Sequence, residues 1–432
     1  MELEPGFQLT EAGPIPEDWE AVRLSKASEI ITGRTPPAAI SGAFGYDVPF
    51  VTPADLGRAS VILETQRCLS PLGAALVPVA PPDSTLFVCI GSTIGKVGRA
   101  GRDVAFNQQI NAAIAGDETC QLFLSHRLAS DAERIAALAG EQAVPILNKT
   151  QFGEAAIARP PLPEQRAIAA VLETANAWIA AAEAEAAKLE SVKAAAMDAL
   201  LTPTARLPGF SGEWSTATLS ELGEVTGSGV DKKSREGERA VRLLNYMDVY
   251  RSSHIYGWHV VQEVTAKPDQ LTRCSVLAGD VFFTPSSEVP EDIAAAGVAM
   301  CDVPSGVYSY HLVRLRPKLG LLDHSFSGFA FRHSRVKRQA EQLCGGSGTR
   351  YVLSLEQFRM IEVALPPTLA EQSAIATVLS DIDTALAAAR AVVAKARSVK
   401  AAAMDVLLSG RVRLPGFGPT AHRASAGALE AA

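Results

Sequence analysis

The chain has 432 residues and a net charge of −7, with 47% hydrophobic, 6% aromatic and 20% charged residues. That length exceeds what a single hydrophobic core organises, and the composition excludes a disordered chain; averaged over all residues, the acidity also argues mildly against a nucleic-acid partner. No segment reaches the roughly 18 uninterrupted apolar residues of a membrane span and the N-terminus lacks a basic leader, so no membrane association is expected and the expected compartment is the cytoplasm.

The first globular stretch carries most of the negative charge. Its β-like run Thr85 to Ile90 is followed by Gly91-Ser92-Thr93-Ile94-Gly95-Lys96, which looks like a phosphate loop. A nucleotide loop needs four residues between its glycines and a Ser or Thr after the Lys. This one has three, and then Val97. The open readings are a tight turn presenting Lys96 and a backbone contact to a nucleic-acid phosphate. Next comes the amide run Asn107-Gln108-Gln109-Ile110-Asn111. Asn and Gln read adenine edges well, but they also satisfy buried turns. A helical stretch is expected over 122–139.

Residues 161–205 read as a long helix introduced by Pro160-Pro161-Leu162-Pro163 and Glu164. Its apolar positions Ile168, Leu172, Ala175, Ile179, Ala182, Ala186, Leu189, Lys193, Ala196 and Leu200 follow 4-3 spacing, the seam of a coiled coil. Such a helix, nearly forty residues long, is a rod of about 55 to 60 Å.

The second globular stretch is charge-balanced and divergent in sequence from the first. β-like runs are expected at 280–283 and 308–315. Asp231-Lys232-Lys233-Ser234-Arg235 is a polar, basic loop, while Arg332, Arg335, Lys337 and Arg338 fall on one short predicted helix. Gly345-Gly346-Ser347-Gly348-Thr349-Arg350-Tyr351 follows it. A basic helix and a glycine-rich loop could contact phosphates and bases, or could be a solvated charged surface.

A second long helix is expected within 366–417, and it repeats the first. Glu164 to Phe210 aligns without a gap on Glu371 to Phe417 at an offset of 207 residues, with 28 of 47 positions identical. Each copy offers the other a matching apolar stripe, so one antiparallel pair is expected; separate packing on neighbouring domains is the alternative. The repeat extends weakly to Pro16-Glu17-Asp18-Trp19 and Ser211-Gly212-Glu213-Trp214. A third start after Phe417 would lie near the N-terminal one. The expected division is 1–160, 161–205, 206–365, 366–417 and a tail over 418–432. The fold class is α+β: two pseudo-repeated α+β domains separated by two long helices that form an antiparallel coiled coil.

Catalytic signatures are scarce. There is no H-E-x-x-H, no G-x-S-x-G and no Asn-Pro-Pro-Tyr tetrad, and the seven histidines are scattered. Six single cysteines give neither a zinc pattern nor a disulfide framework, so no metal site is expected.

This organisation resembles the specificity subunit of type I restriction-modification systems. The resemblance rests on Pro161-x-Pro163-Glu164-Gln165-x-Ala167-Ile168-Ala169-x-Val171-Leu172 and its second copy from Glu371, on Thr32-Gly33-Arg34-Thr35-Pro36, and on the 90–97, 107–111, 243–250 and 348–350 segments. It implies two target-recognition domains that each read half of a split DNA site, and helices that both space them and dock two methyltransferase subunits. S-adenosylmethionine would belong to those subunits, and ATP and Mg to restriction subunits where these join; no cofactor is expected on this chain. Two readers on a rigid rod specify two words a set distance apart, because the rod's length converts into base-pair spacing. Residue chemistry then gives the DNA-contact candidates: Arg34, Thr35, Lys96, Asn107, Gln108 and Gln109 in the first domain, and Lys232, Lys233, Arg235, Arg335, Arg338, Ser347, Thr349 and Arg350 in the second. The rival readings are a coiled-coil scaffold or adaptor that does not bind DNA, and an enzyme using the 91–96 loop.

Overall fold

The computed structural model describes residues 3–57, 61–140 and 144–418, so the expected tail beyond 418 and the third repeat start lie outside the described residues. The chain forms two compact units, one of residues 1–182 with 392–432 and the other of residues 183–391.

In the first unit the elements that matter are β1 (Glu20–Arg23), β2 (Ser28–Thr32), β3 (Val48–Val51), β4 (Thr85–Val88), β5 (Val97–Ala100), β6 (Val104–Phe106), β7 (Ile110–Ala115), α1 (Gln121–Ser130), β8 (Ala156–Arg159) and α2 (Leu162–Leu200). Strands β2, β7, β4 and β5 form an antiparallel sheet in that order, extended by Val61–Ile62 running parallel to β5. Every residue of β4 is buried, which is why the strand reads as a continuous apolar run instead of an alternating one. A second sheet places β3 beside β6 in parallel register, with Phe106 opposite Val51. The expected helix over 122–139 breaks at Asp131, whose carboxylate is held by both Arg127 and Arg134, and continues as shorter turns.

The second unit repeats this topology. Its elements are β9 (Ser215–Thr218), β10 (Gly223–Thr226), β11 (Arg239–Leu244), α3 (Tyr246–Arg251), β12 (Val281–Phe283), β13 (Ser286–Ser287), β14 (Ala296–Ala299), β15 (Gly306–Tyr308), β16 (Val313–Pro317), α4 (Ser334–Leu343), β17 (Gly345–Ser347), β18 (Arg350–Val352), β19 (Glu362–Leu365) and α5 (Leu369–Leu408). The sheet order β10, β16, β12, β14 is again extended by a parallel strand, His254–Ile255. Strands β11 and β15 reproduce the parallel pair, with Leu244 opposite Tyr308. The antiparallel pairs β1–β8 and β9–β19 occupy equivalent places, each leading into a long helix.

Both helices contribute to both units. All ten seam positions of each are buried or half-buried, as 4-3 packing requires. In the first unit Ile168, Ala169 and Leu172 share a core with Trp19, Leu407 and Leu408. In the second, Ile375, Ala376 and Leu379 share a core with Leu201, and ion pairs Lys193–Asp383 (2.5 Å) and Glu190–Arg390 (2.6 Å) cross between the helices. The start of each helix thus lies against the end of the other, which is antiparallel pairing, and separate packing on neighbouring domains is ruled out.

The repeated Glu-Gln pair explains itself at the helix starts. Gln165 accepts from the Cys120 amide (2.8 Å) and donates to the Glu118 carbonyl (3.1 Å), tying the start of α1 to α2. Gln372 accepts from the Asp323 amide (2.8 Å) and donates to the Leu321 carbonyl (3.1 Å) in the same way. Glu164, 1% exposed, accepts from Trp19 Nε1 (3.1 Å) and from Arg413 Nε (2.6 Å), which also holds Asp18. Burial opposes the charge on Arg413, but its hydrogen bonds to the two carboxylates outweigh that and raise its pKa. In the second unit Arg206 Nη2 holds Glu371, also 1% exposed, at 2.8 Å. Each clasp joins the residue just past the end of one long helix to the first turn of the other.

Candidate nucleic-acid interface

In the first unit the parallel strands β3 and β6 end side by side, and the amide run begins where β6 stops. The Asn107 amide donates to the Val51 carbonyl (3.0 Å) and the Arg34 amide to the Phe106 carbonyl (2.9 Å), so the Gly33-Arg34-Thr35 loop is laid across the strand ends. The approach is close: a Cβ on Gly33 would lie 2.2 Å from the Asn107 carbonyl oxygen, and only glycine fits.

The amides divide into two roles. Asn107 Oδ1 accepts from the Gln109 amide (3.1 Å), Asn107 Nδ2 donates to Gln109 Oε1 (3.0 Å), and Gln109 Nε2 donates to the Ile90 carbonyl (3.4 Å). Those two side chains are consumed in building the turn, and the buried Asn111 is held by Thr32 and Cys89. Gln108 is exposed at the tip, where its Oε1 accepts from Thr35 Oγ1 (2.8 Å). Arg34 is exposed beside it. Lys96 is half-buried with its Nζ 3.4 Å from the Pro53 carbonyl, so its charge is partly committed.

The 91–96 segment is the tight turn between β4 and β5. The Gly95 amide donates to Val88, Ile94 to Gly91 and Lys96 to Thr93, all backbone carbonyls. A phosphate loop needs such amides free, and here they are spent. This geometry removes support from the phosphate-cradle reading and from the enzyme built on it.

The second unit contains the same site in different side chains. The Ser309 amide donates to the Leu244 carbonyl (2.9 Å) at the ends of β15 and β11, and the Val230 amide to the Tyr308 carbonyl (2.8 Å). Gly229 is held as tightly as Gly33, since its Cβ would lie 2.3 Å from the Ser309 carbonyl carbon. Ser309 Oγ accepts from the His311 amide (3.3 Å), the bond that Asn107 makes to Gln109 in the first unit. Tyr310 stands at the tip, 48% exposed, with its ring 3.8 Å from the His311 ring.

The basic candidates sort unequally around this tip. Tyr310 donates its amide to the Val230 carbonyl (3.1 Å), which brings the exposed Lys232 and Lys233 alongside; Arg235 is exposed further along the loop, its amide donating to Thr265 Oγ1 (2.7 Å). The glycine-rich segment is the exposed hairpin β17–β18, with Ser347 opposite Arg350 and Thr349 in the connection. Strand β18 pairs with β13, and the Ser286 carbonyl of β13 accepts from the Tyr246 hydroxyl (2.9 Å) at the start of α3. Burial lowers the His311 pKa, and the nearby positive charges of Lys232 and Arg350 lower it further. Lys232, Arg350 and His311 therefore share one electrostatic neighbourhood.

Arg335 and Arg338 are on α4 and exposed, but they line a different depression, of about 460 Å³, with Leu201, Thr216, His333 and Glu362. The expected basic helix is also shorter at its start: Arg332 precedes it and donates to the Ala296, Val249 and Tyr250 carbonyls as a structural brace. Residue chemistry alone did not single out Tyr310, His311 or the exposed Trp258, which stacks on Tyr256 at 4.5 Å. The signal for Tyr310 was positional: it stands two residues past the end of β15 at Tyr308, as Gln108 stands two residues past the end of β6 at Phe106.

Comparison with known proteins adds an independent line. Residues 16–191 and 212–393 both match the type I restriction modification DNA specificity domain, together well over half the chain. The chain is 34% identical over 151 residues to the HindI specificity subunit of Haemophilus influenzae, covering 34% of this chain and 33% of that protein. It is 21% identical over 429 residues to the MjaVIII specificity subunit of Methanocaldococcus jannaschii, covering 95% and 97%. The chain thus spans about a third of the first relative and nearly all of the second. Among solved structures it is similar to the S subunit of a type I restriction-modification system from M. genitalium, with a TM-score of 0.56, 13% identity and 94% and 98% coverage. A chain from a structural study of complex assembly and conformational transition of the type I R-M system matches with a TM-score of 0.58, 16% identity and 92% and 99% coverage.

Proposed function

Because the chain belongs to the type I restriction-modification DNA specificity family, we propose that it is the DNA sequence-recognition subunit of such a system, reading two short words separated by a set gap. The observation that carries this reading is the doubled site: in each unit a glycine-braced loop crosses the ends of two parallel strands and leaves one exposed side chain at a turn tip. Bases are distinguished by side chains held in such a way, while nearby cations fix the duplex through its phosphates.

The chain itself is non-catalytic in this reading. Two methyltransferase subunits carrying S-adenosylmethionine dock on the long helices and transfer the methyl group, and restriction subunits using ATP and Mg complete the complex where present. Exposed apolar side chains on the outer faces of the helices, Val171, Trp178 and Val192 on α2 and Val392 and Val399 on α5, suit such docking. No helix of the described residues is long and apolar enough to cross a membrane.

The test is to co-express the chain with its methyltransferase subunit and sequence the host DNA for methyladenine. A bipartite motif with one gap length is expected. An assembled complex that adds no methylation would overturn the proposal.

A further inference from the structure

The turns that follow β6 and β15 share one hydrogen-bond scheme and differ at their tips. In both, the first residue past the strand donates its amide to the neighbouring parallel strand: Asn107 to Val51 and Ser309 to Leu244. In both, that residue's side chain accepts from the amide two positions on, Gln109 or His311. Its carbonyl then accepts from the next amide, Ile110 at 3.1 Å or Leu312 at 3.0 Å. The neighbouring strand is closed alike, with the Thr52 and Asn245 amides each donating, at 2.8 Å, to an aspartate three residues on. In the first unit the scheme uses the side chains of Asn107 and Gln109, in the second that of Ser309, and in both it leaves the tip side chain outside the turn.

We propose that the tip residues, Gln108 in the first unit and Tyr310 with the adjoining His311 ring in the second, are the specificity-determining base readers; this rests on the DNA-recognition reading above. Three arguments support it. The tips are exposed, while the turn consumes the flanking Asn107 and Gln109 side chains in the first unit and the Ser309 side chain in the second. Each tip is also held in place, Gln108 by Thr35 and Tyr310 by the His311 ring, so little rotamer freedom is lost on contact. Finally, cations lie alongside, Arg34 in one unit and Lys232 with Arg350 in the other, so that phosphate attraction and base contact fall to separate residues.

The chemistry at the two tips predicts different words. Gln108 Oε1 keeps a second lone pair after accepting from Thr35, and the amide group is free to donate, which is the pattern that pairs bidentately with adenine. Tyr310 offers a broad apolar face and a hydroxyl, and suits a thymine methyl or another apolar base edge. A tip that touched only phosphate would instead weaken binding uniformly across sequences.

The experiment is to map methyladenine motifs for the full complex containing wild-type chain, Gln108→Ala or Tyr310→Ala. Gln108→Ala is expected to relax one position of one word by about tenfold or more and leave the other word intact, and Tyr310→Ala to do the converse. Both words unchanged in both variants would overturn the proposal, and so would uniform loss at all sites by an assembled complex. If a variant methylates too little to map, competition binding with oligonucleotides substituted at single positions of each half-site reads the same preference, and Tyr310→Phe keeps the ring contact with His311 while removing the hydroxyl. Failure of the wild-type complex to give any bipartite motif would instead sink the recognition reading itself.

Discussion

The long helices and the strand-end turns are both duplicated, and they repeat in opposite ways. The helices repeat in side chains: 28 of 47 positions are identical, and the Glu-Gln starts make corresponding bonds. The turns repeat in backbone, with Asn107-Gln108-Gln109 standing where the other unit has Ser309-Tyr310-His311. A seam and a buried clasp need particular side chains, whereas a turn defined by main-chain bonds needs only a glycine and one acceptor. The tips are therefore free to differ while the frame stays the same.

The largest expected effect tests whether the clasps really are equivalent. Removing one partner of a buried ion pair costs about 3 to 5 kcal/mol, because the other charge is left uncompensated. Arg206→Ala strands Glu371 in this way. Arg413→Ala leaves Glu164 with the Trp19 indole as a remaining donor, whereas in the second unit the Trp214 Nε1 has no partner among the described residues. Urea unfolding, with hydrogen exchange to assign the loss to a unit, should find Arg206→Ala the more damaging. Equal losses would show that the indole does no more than offset the Asp18 pair that Arg413→Ala also breaks.

Next come the two glycines. Gly33→Ala and Gly229→Ala each force a Cβ to within about 2.2 or 2.3 Å of the facing backbone, and each should cost about 1 to 3 kcal/mol of stability by overpacking. The costs should be similar despite the different tips. If either substitution is free in urea unfolding, the shared backbone frame is wrong at that site.

A smaller effect separates the basic candidates. Arg350→Ala should weaken DNA binding by the complex about tenfold, or about 1.4 kcal/mol, since Arg350 shares the Tyr310 neighbourhood. Arg335→Ala and Arg338→Ala should change it little, because those side chains line the depression beside His333. Fluorescence anisotropy on a duplex carrying the motif measures all three. The reverse ranking would relocate the second unit's interface to α4.

How much of this the sequence shows depends on the kind of signal. The helix pair was legible because a 4-3 seam is a periodic property of side chains, and the duplicated Glu-Gln starts marked where each helix begins. Gln108 was legible only as one of a run of amides; that Asn107 and Gln109 are spent on the turn follows from hydrogen bonds no spacing reveals. The 91–96 loop was legible as a tight turn, but glycine content does not tell which of its amides are spent on backbone carbonyls. Tyr310 escaped because its equivalence to Gln108 lies in strand register, and the two units share no local side-chain pattern there.

The smallest expected effect contrasts the units by pH. In the second unit His254, His311 and His333 all have pKa values lowered from the usual 6.5, first by burial. Among the described residues of the first unit only His126 is so shifted, again by burial, against the pull of Glu173. A histidine whose folded pKa is depressed binds fewer protons than the unfolded chain, so the stability it supports is full above about 6.5 and is lost as pH falls below it. Acidifying from about pH 7.5 to 5.5 should therefore loosen the second unit more than the first. Peptide-level hydrogen exchange, corrected for the intrinsic pH dependence of exchange, measures both units in one sample. Replacing the three histidines of the second unit with Gln should remove the excess loosening, and equal loosening of both units in the wild-type chain would show that the histidines do not set the difference.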